Sequence, residues 1–336
     1  MLEVFYFFIK TFTAISLFFS SLFPGTVAPG KAVDFDVLEY PTEAVKTLEE
    51  IGITEAELTS RASDSGRDLY IEAQGYTDVN GIIVSPYYTA KIGDTALPVY
   101  SSTVYLGSTH EGALQSFSEI YIEKGKEFSF NLQLESKSLK IRNAVCVPVS
   151  LDVTPVCKGG TMTATIDDFG MYTFLFNEES QEAAFTLFVR EKVDDEAEIE
   201  KYIEQYGRDS MIILDKGVHY FDYISYNYVS GVIYLKQGAY VIANHVHDID
   251  NEEDDYGIFE PGAPESNSLH IGRYPFINLS KCNNVKIVGY GAIDLTRLDH
   301  RERRGLVFTE CKDVEVSGVK IINPPNGHLL PTFAKM

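Results

Sequence analysis

A 29-residue repeat near the C-terminal end constrains the fold more than any other feature of this chain. Residues 276–295 align on residues 305–324 without a gap. Within this alignment Cys282, Val285, Gly289 and Ile293 recur as Cys311, Val314, Gly318 and Ile322. Repeats of this length are typical of solenoid proteins, in which each repeat buries its apolar face against the next. The repeat therefore predicts stacked coils of chain.

Apolar and polar residues alternate within each repeat, as they do in a strand with one buried face. The residues predicted to point inward are Ile277, Leu279, Val285 and Ile287, with their counterparts Leu306, Phe308, Val314 and Val316. Stacking in register would also place Lys281 above Glu310 and Lys286 above Glu315, at the ~4.8 Å spacing of neighbouring strands. These opposite charges favour parallel stacking in register over an antiparallel hairpin.

An earlier coil with a looser pattern is predicted at residues 232–244, ahead of the regular repeat. A polar insertion, residues 245–274, separates the two. Insertions of this size in solenoids form loops on one face, which is often the binding face.

The preceding residues, 33–192, read as short strands separated by turn residues, which predicts a β-sandwich domain. The strand-like runs lie at residues 68–74, 81–84, 119–123, 128–134 and 183–189, whereas residues 42–59 have a more helical pattern. Residues 194–207 begin with acids and end at Gly207, which predicts a short helix. We expect residues 193–336 to hold this linker helix and the coils, so the predicted fold class is all-β.

The first 32 residues predict a secretory signal peptide. Residues 1–23 are apolar apart from Glu3 and Lys10 and a few weakly polar positions, and Pro24, Gly25 and small residues follow, which is the order of a cleavable leader. An uncleaved membrane anchor stays open as the alternative, although a span needs about 20 apolar residues and Lys10 interrupts this run. We expect a secreted protein, extracellular or periplasmic, with no membrane contact after cleavage.

The charge balance excludes nucleic acid as an expected partner. The chain has 49 acidic against 28 basic residues, a formal net charge of -21, which repels a phosphate backbone. Its four cysteines divide into Cys146/Cys157 and Cys282/Cys311, and each pair either forms a disulfide after export or stays as buried thiols. We expect the chain to be a monomer.

The coils resemble the opening of the parallel β-helix of glycoside hydrolase family 28, the polygalacturonase-like family. The resemblance rests on residues 231–241, 284–294 and 304–325, and it covers roughly residues 229–331. The sequence departs from the family pattern at Leu295, where the family has Gly, and near Gly327, where it has Trp. The preceding strands also resemble the N-terminal domain of bacterial members. The resemblance implies a β-sandwich followed by the first coils of a right-handed parallel β-helix.

The same resemblance implies a secreted hydrolase that cleaves a pectic or related polysaccharide with inversion of the anomeric centre. The family's Asn-Thr-Asp, Asp-Asp, Gly-His-Gly and Arg-Ile-Lys motifs are absent, and the resemblance places them in coils beyond Met336. We therefore assign no catalytic residue and expect the chain alone to be inactive. Asn326 and His328 follow the coil end where the family begins to line its cleft, so they are the candidate substrate-binding residues.

The acids near the C-terminus are interpreted as structural, because charges on solenoid surfaces are usually solvated or paired. They are Asp294, Asp299, Glu302, Glu310, Asp313 and Glu315. His245, His247 and Glu252 have the spacing of part of a cupin metal motif, but no second motif with a third histidine follows. A solvated acidic loop is favoured there, so no metal and no cofactor is expected.

Besides the polygalacturonase-like interpretation and a cupin-like metal enzyme that would use His245 and His247, two alternatives remain open. Family 49 dextranases also place a β-sandwich before a β-helix. A carbohydrate-binding or adhesin-like protein could use the β-helix only as a scaffold. The expected partner in each case is a polysaccharide.

Overall fold

The fold is all-β apart from one α-helix and three short 3-10 turns among the residues that the structure describes. The structure is a computed structural model. It describes residues 33–47, 70–72, 82–105, 111–137, 140–177, 180–221, 224–227, 230–243, 275–296, 305–322 and 329–332. The all-β prediction is confirmed, whereas the predicted signal peptide at residues 1–32 lies outside the described residues.

The first sheet has nine strands and is largely antiparallel. Its strands are β1 (Asp36–Val37), β2 (Val45–Lys46), β3 (Tyr70–Glu72), β4 (Ile82–Val84), β7 (Tyr100–Tyr105), β8 (Glu111–Glu123), β10 (Ala144–Val147), β13 (Gly170–Phe176) and β14 (Ser180–Lys192). Their order is β10-β13-β14-β8-β7-β4-β2, with β1 and β3 also paired to β8. The long strands β8 and β14 run parallel at its centre.

The second sheet has five antiparallel strands in the order β11-β12-β9-β5-β6. They are β5 (Tyr88–Ile92), β6 (Thr95–Leu97), β9 (Phe130–Ser136), β11 (Val156–Lys158) and β12 (Thr161–Ile166). Strand β9 alternates buried and half-buried residues over most of its length, because successive side chains of a strand point to opposite faces. Side chains from both sheets, among them Leu132 and Phe174, share one hydrophobic core.

The helical pattern at residues 42–59 is a prediction that the described part of this segment contradicts. Residues Thr42–Ala44 form a 3-10 turn, and the chain then enters strand β2 at Val45. Ala44 is buried at this point and packs with Leu38 and Ile82, so tertiary packing outweighs the local helical preference. Residues 48–59 lie outside the described residues.

The predicted linker helix is confirmed as α1 (Asp195–Tyr206). The Asp194 side chain caps it by accepting hydrogen bonds from the backbone N–H groups of Glu196 and Ala197, which lack partners inside the helix. Gly207, with a φ of 81°, ends it. One face of the helix, including Ile199 and Tyr202, packs on Val232, Tyr234 and Val288 of the coils.

The remaining strands form three parallel sheets of four strands each. The first sheet of the coils contains β15 (Met211–Leu214), β18 (Gly231–Leu235), β21 (Asn283–Gly289) and β24 (Lys312–Ser317); the second contains β16 (Gly217–Phe221), β19 (Ala239–Ala243), β22 (Ala292–Asp294) and β25 (Lys320–Ile322); the third contains β17 (Ile224–Asn227), β20 (Ile277–Ser280), β23 (Leu306–Thr309) and β26 (Leu329–Thr332). Each coil of chain thus adds one strand to each sheet. A coil at residues 211–227 precedes the first coil that the sequence predicts.

The predicted stacking in register is confirmed in two of these sheets. Ile277 pairs with Leu306 and Ile287 with Val316, both 29 residues apart. The Lys286 ammonium forms the expected ion pair with the Glu315 carboxylate. The backbone conformation repeats as well, because Lys281 and Glu310, Asn284 and Asp313, and Gly289 and Gly318 all have a positive φ.

The register changes by one residue in the second sheet of the coils, where the ungapped alignment is wrong. Ile293 pairs with Ile321 and Asp294 with Ile322, a separation of 28 residues. Two residues separate Gly289 from β22, but only Val319 separates Gly318 from β25. A shift of one residue reverses the faces of a strand. Ile321 therefore packs towards the interior of the coils, and Ile322 packs against the first sheet.

Gly318 is required by close approach of the backbone as well as by its left-handed conformation. A Cβ added at Gly318 would lie 2.1 Å from the Gly289 carbonyl oxygen. Gly125 has nearly the same φ, 76° against 75°, with nothing within 4 Å of an added Cβ. Substitution of Gly125 therefore measures the cost of the left-handed conformation alone, whereas substitution of Gly318 adds a steric clash with the neighbouring coil.

We expect Gly125→Ala to lower the free energy of unfolding by about 1 kcal/mol, the cost of a left-handed alanine. Gly318→Ala should lower it by at least about 2 kcal/mol more, because the neighbouring coil has to move. Urea denaturation followed by circular dichroism measures both. Equal losses in the two variants would contradict the close stacking of the coil corners.

Candidate functional site

A groove lies where the first sheet meets the coils. It has a volume of about 470 Å³ and is lined by Gly170, Met171, Phe188, Val189, Arg190, Val319, Lys320 and Ile321. Ligand pockets commonly have volumes of about 300–1,000 Å³. We call it the junction groove, and it is the candidate site among the described residues.

A buried cluster of charges lies beside this groove and joins the two parts of the chain. The Glu119 carboxylate forms one ion pair with Arg190 Nε at 2.9 Å and another with Lys320 Nζ at 2.6 Å. The Tyr121 hydroxyl donates a hydrogen bond of 2.5 Å to the same carboxylate. Glu119 is 2% exposed and Lys320 is 6% exposed. We call these four residues the junction cluster.

Strand pairing explains how the junction cluster assembles. Glu119 and Tyr121 lie two residues apart on β8, so they share a face, and Tyr121 pairs with Arg190 on the parallel neighbour β14. Lys320 begins β25 and comes from the coils. The shorter corner after Gly318 places Lys320 opposite Ala292, which faces the first sheet.

The two cations of the junction cluster are also held by the coil corners. Lys320 Nζ donates a hydrogen bond of 3.0 Å to the Tyr290 carbonyl oxygen and lies 5.9 Å from the Tyr40 ring centroid. The Arg190 guanidinium donates to the Gly318 carbonyl oxygen and lies 5.4 Å from the Phe188 ring centroid. Both cations therefore bridge the first sheet and the coils.

Burial dominates the ionisation of this cluster. Loss of hydration lowers the pKa of Lys320 from 10.5 to about 8, although Glu119 acts in the opposite direction. Burial and the Glu119 charge together raise the pKa of Tyr121 far above its usual value. The Tyr121 phenol therefore stays protonated and donates its hydrogen bond throughout the physiological pH range.

Glu119→Gln should destabilise the protein much more than Lys320→Met. The first change leaves two cations at the junction without their carboxylate, and breaking a buried pair in this way costs about 3 kcal/mol or more. The second keeps the pair of Glu119 with Arg190 and fills the space with an apolar chain of similar length, so we expect a change within about 1 kcal/mol. Urea titrations measure both. A larger loss in Lys320→Met than in Glu119→Gln would contradict the expected order.

The same lysine gives a dependence of stability on pH. Between the folded pKa of about 8 and the unfolded value of 10.5, the unfolded chain binds more protons at this site than the folded chain. Stability therefore rises with pH across this window, by up to about 1.4 kcal/mol per pH unit. Below the window Lys320 is charged in both states, and its contribution is constant.

We expect the difference in free energy of unfolding, wild type minus Lys320→Met, to increase by about 2 kcal/mol between about pH 7 and about pH 10. The variant is the control because it retains every other titrating group. Urea titrations at both pH values measure the difference. A constant difference would show that Lys320 keeps an ordinary pKa, and a falling difference would show that its pKa is raised in the folded state.

A second buried polar group, the carboxylate of Asp294, lies near the junction cluster and is held by hydrogen bonds within the coils. It is 1% exposed. Its carboxylate accepts hydrogen bonds from the Tyr240 hydroxyl at 2.7 Å, the Thr296 backbone N–H at 2.9 Å and the Thr296 hydroxyl at 2.5 Å. The Tyr240 ring meets the Tyr40 ring edge to face at 5.4 Å. Asp294 therefore braces the aromatic contact between the coils and the first sheet.

The other acids named from the sequence either have structural surroundings or lie outside the described residues. Glu315 pairs with Lys286 and accepts a hydrogen bond of 2.9 Å from the Ser317 hydroxyl. Glu310 and Asp313 occupy left-handed corner positions. The interpretation of Glu315 as a paired, structural acid is confirmed. Asp299 and Glu302 lie outside the described residues.

The candidate substrate-binding residues Asn326 and His328 also lie outside the described residues, as do His245, His247 and Glu252. The strands that flank both groups are described. Chain leaves the second sheet of the coils at Ala243 and at Ile322, and it enters the third sheet at Ile277 and at Leu329. Among the described residues no group of three or more His, Cys, Asp or Glu side chains could hold a metal ion.

Sequence reasoning missed the junction cluster. Glu119 and Arg190 lie 71 positions apart, and each has a polar residue next to it, Ser118 and Glu191, as solvent-facing residues often do. One signal was available, because Lys320 stands in an apolar run beside a coil corner that is one residue shorter than the preceding one.

No described helix is long and apolar enough to cross a membrane.

Comparisons with known proteins include a distant structural similarity. No family model matches the chain, and no curated protein sequence matches it. Among solved structures it is similar to Dex49A from Penicillium minioluteum, a dextranase, with a TM-score of 0.47 and 12% sequence identity. The alignment covers 92% of this chain and 64% of that one, so this chain spans less than two thirds of its length. A similarity at this level says nothing about the reaction.

Proposed function

We propose that this chain is part of a secreted glycoside hydrolase whose coils form a right-handed parallel β-helix, and that it acts on a pectic or related polysaccharide. One observation carries the proposal. The residues that resemble family 28, 231–241, 284–294 and 304–325, contain all or most of strands β18, β21, β22, β24 and β25, which stack as parallel coils. The resemblance in sequence and the arrangement of strands therefore coincide.

The proposal treats residues 33–192 as a β-sandwich domain and residues 193–336 as the linker helix and opening coils. The core shared by the two antiparallel sheets supports the first part. The contacts of α1 with the coils support placing the helix in the second part. The leader-like composition of residues 1–32 supports export.

The outermost described coil has interior apolar side chains that are incompletely covered, which supports the packing of a further segment against it. Val285 and Ile287 are 3% and 0% exposed, whereas their counterparts Val314 and Val316 are only half-buried. Apolar side chains at the end of a solenoid need cover from another coil or from a capping segment. Under the proposal, the coils that provide this cover also provide the catalytic acids.

Glu119, Asp294 and Glu315 are poorly suited to act as the catalytic pair themselves. An inverting hydrolase needs a general acid and a general base about 6.5–9.5 Å apart, with room for water and sugar between them. Glu119 and Asp294 are buried and hydrogen-bonded, and Glu315 is paired with Lys286. Each of these acids already holds a structural partner.

Two expressed forms test the proposal. We expect the 336-residue chain to release no reducing ends from polygalacturonate. The form translated together with the coding sequence after Met336 should release them, with inverted anomers visible by proton NMR. A substrate panel with dextran distinguishes the family 49 alternative.

Activity of the shorter chain on polygalacturonate would contradict the assignment of chemistry to further coils. Hydrolysis of dextran alone by the longer form would replace the pectic substrate with the dextranase alternative. Binding of polysaccharide without hydrolysis by the longer form would favour a non-catalytic scaffold.

A further inference from the structure

Cys282 and Cys311 occupy the same corner of two successive coils. The strand pairs on either side, Ser280 with Thr309 and Asn283 with Lys312, keep the 29-residue register. Equivalent residues of neighbouring parallel strands lie ~4.8 Å apart. This spacing falls within the range of about 4.4–6.8 Å between Cα atoms that a disulfide requires.

Hydrogen bonds join the two coils on both sides of this corner. The Lys312 backbone N–H donates to the Cys282 carbonyl oxygen at 2.9 Å. Cys311 Sγ leans back towards the coil of Cys282, where it donates to the Leu279 carbonyl oxygen at 3.2 Å. The Cys311 side chain therefore lies against the coil that contains Cys282.

We propose that Cys282 and Cys311 form a disulfide bond that links two successive coils. Each thiol loses its proton, the two sulfurs join, and the two electrons pass to an external disulfide such as oxidised glutathione, which leaves as two thiols. The bond closes a loop that contains the connection from the second to the third sheet of the coils. It would restrict the unfolded chain, which is how a disulfide stabilises a fold.

Burial determines when this bond can form. Cys282 is 1% exposed and Cys311 is 0% exposed, so an oxidant cannot reach them once the coils have closed. Burial also raises the pKa of the Cys311 thiol, which removes the thiolate needed for exchange. Oxidation therefore accompanies folding, before the second coil settles on the first.

The other two cysteines provide a control within the same chain. Cys146 lies on β10 of the nine-stranded sheet, and Cys157 lies on β11 of the five-stranded sheet. These strands belong to different sheets and are not paired with each other. We expect both to stay as free thiols under the conditions that oxidise Cys282 and Cys311.

The experiment compares the full chain made in a reducing cytosol with the same chain made in an oxidising periplasm. Each sample is unfolded in iodoacetamide without reductant and then mapped by mass spectrometry. All four cysteines should be alkylated in the cytosolic sample. In the periplasmic sample only Cys146 and Cys157 should be alkylated, and one peptide should contain Cys282 joined to Cys311.

Thermal denaturation provides the second readout. The oxidised form should melt at least about 2 °C above the reduced form. Cys282→Ser should abolish both the linked peptide and this difference. The double variant Cys146→Ser, Cys157→Ser should keep both.

Four alkylated cysteines in a folded periplasmic sample would overturn the proposal, and so would a linked peptide that contains Cys146 or Cys157. Reduced chain refolded with oxidised glutathione gives an independent check, in which the linked peptide is expected and its absence is contrary. Because the oxidant is supplied, none of these outcomes depends on hydrolase activity.

Discussion

Parallel stacking in register is the constraint on which the coiled part of this protein depends. Strands of successive coils satisfy each other's backbone N–H and C=O groups, and in two of the three sheets the equivalent residues of the two repeat coils pair at a separation of 29 positions. The interior apolar rows and the Lys286–Glu315 pair follow from this register. The left-handed corner residues repeat for the same reason, because each corner has to fit the one beneath it.

The junction with the first sheet combines two kinds of contact. Aromatic rings of Tyr40, Tyr240 and Phe117 supply apolar area, while Glu119, Arg190 and Lys320 supply charges that lose their hydration on burial. A buried ion cluster adds little net stability when compared with apolar side chains of the same size. Its effect is on orientation, since the three charged groups and the Gly318 carbonyl oxygen meet in one arrangement of the sheet and the coils.

Much of the architecture could be predicted from the sequence because local patterns and one internal repeat indicate the strands, the helix and the coils. Alternation marked the strands, acids and Gly207 marked the helix, and the repeat marked the register. The coil at residues 211–227 escaped because it lacks the identities of the later repeats, and Thr42–Ala44 took a 3-10 turn because packing outweighed propensity. The junction cluster could not be predicted as a cluster, because Glu119, Arg190 and Lys320 come from distant strands and only Lys320 stands out, in an apolar run.

The corner after Gly318 shows what a difference of one residue does in a stacked protein. The strand that follows keeps its place in the sheet but exchanges its faces, so a lysine meets the neighbouring sheet and an isoleucine turns inward. The pairing of β25 with β22 stays parallel and continuous across this change, because only the corner differs in length. A solenoid can in this way acquire a new contact surface at a single level by insertion or deletion, with no substitution in the strand itself. In such a protein the length of a corner therefore determines which side chains of the next strand face a neighbouring sheet, independently of the strand's own sequence.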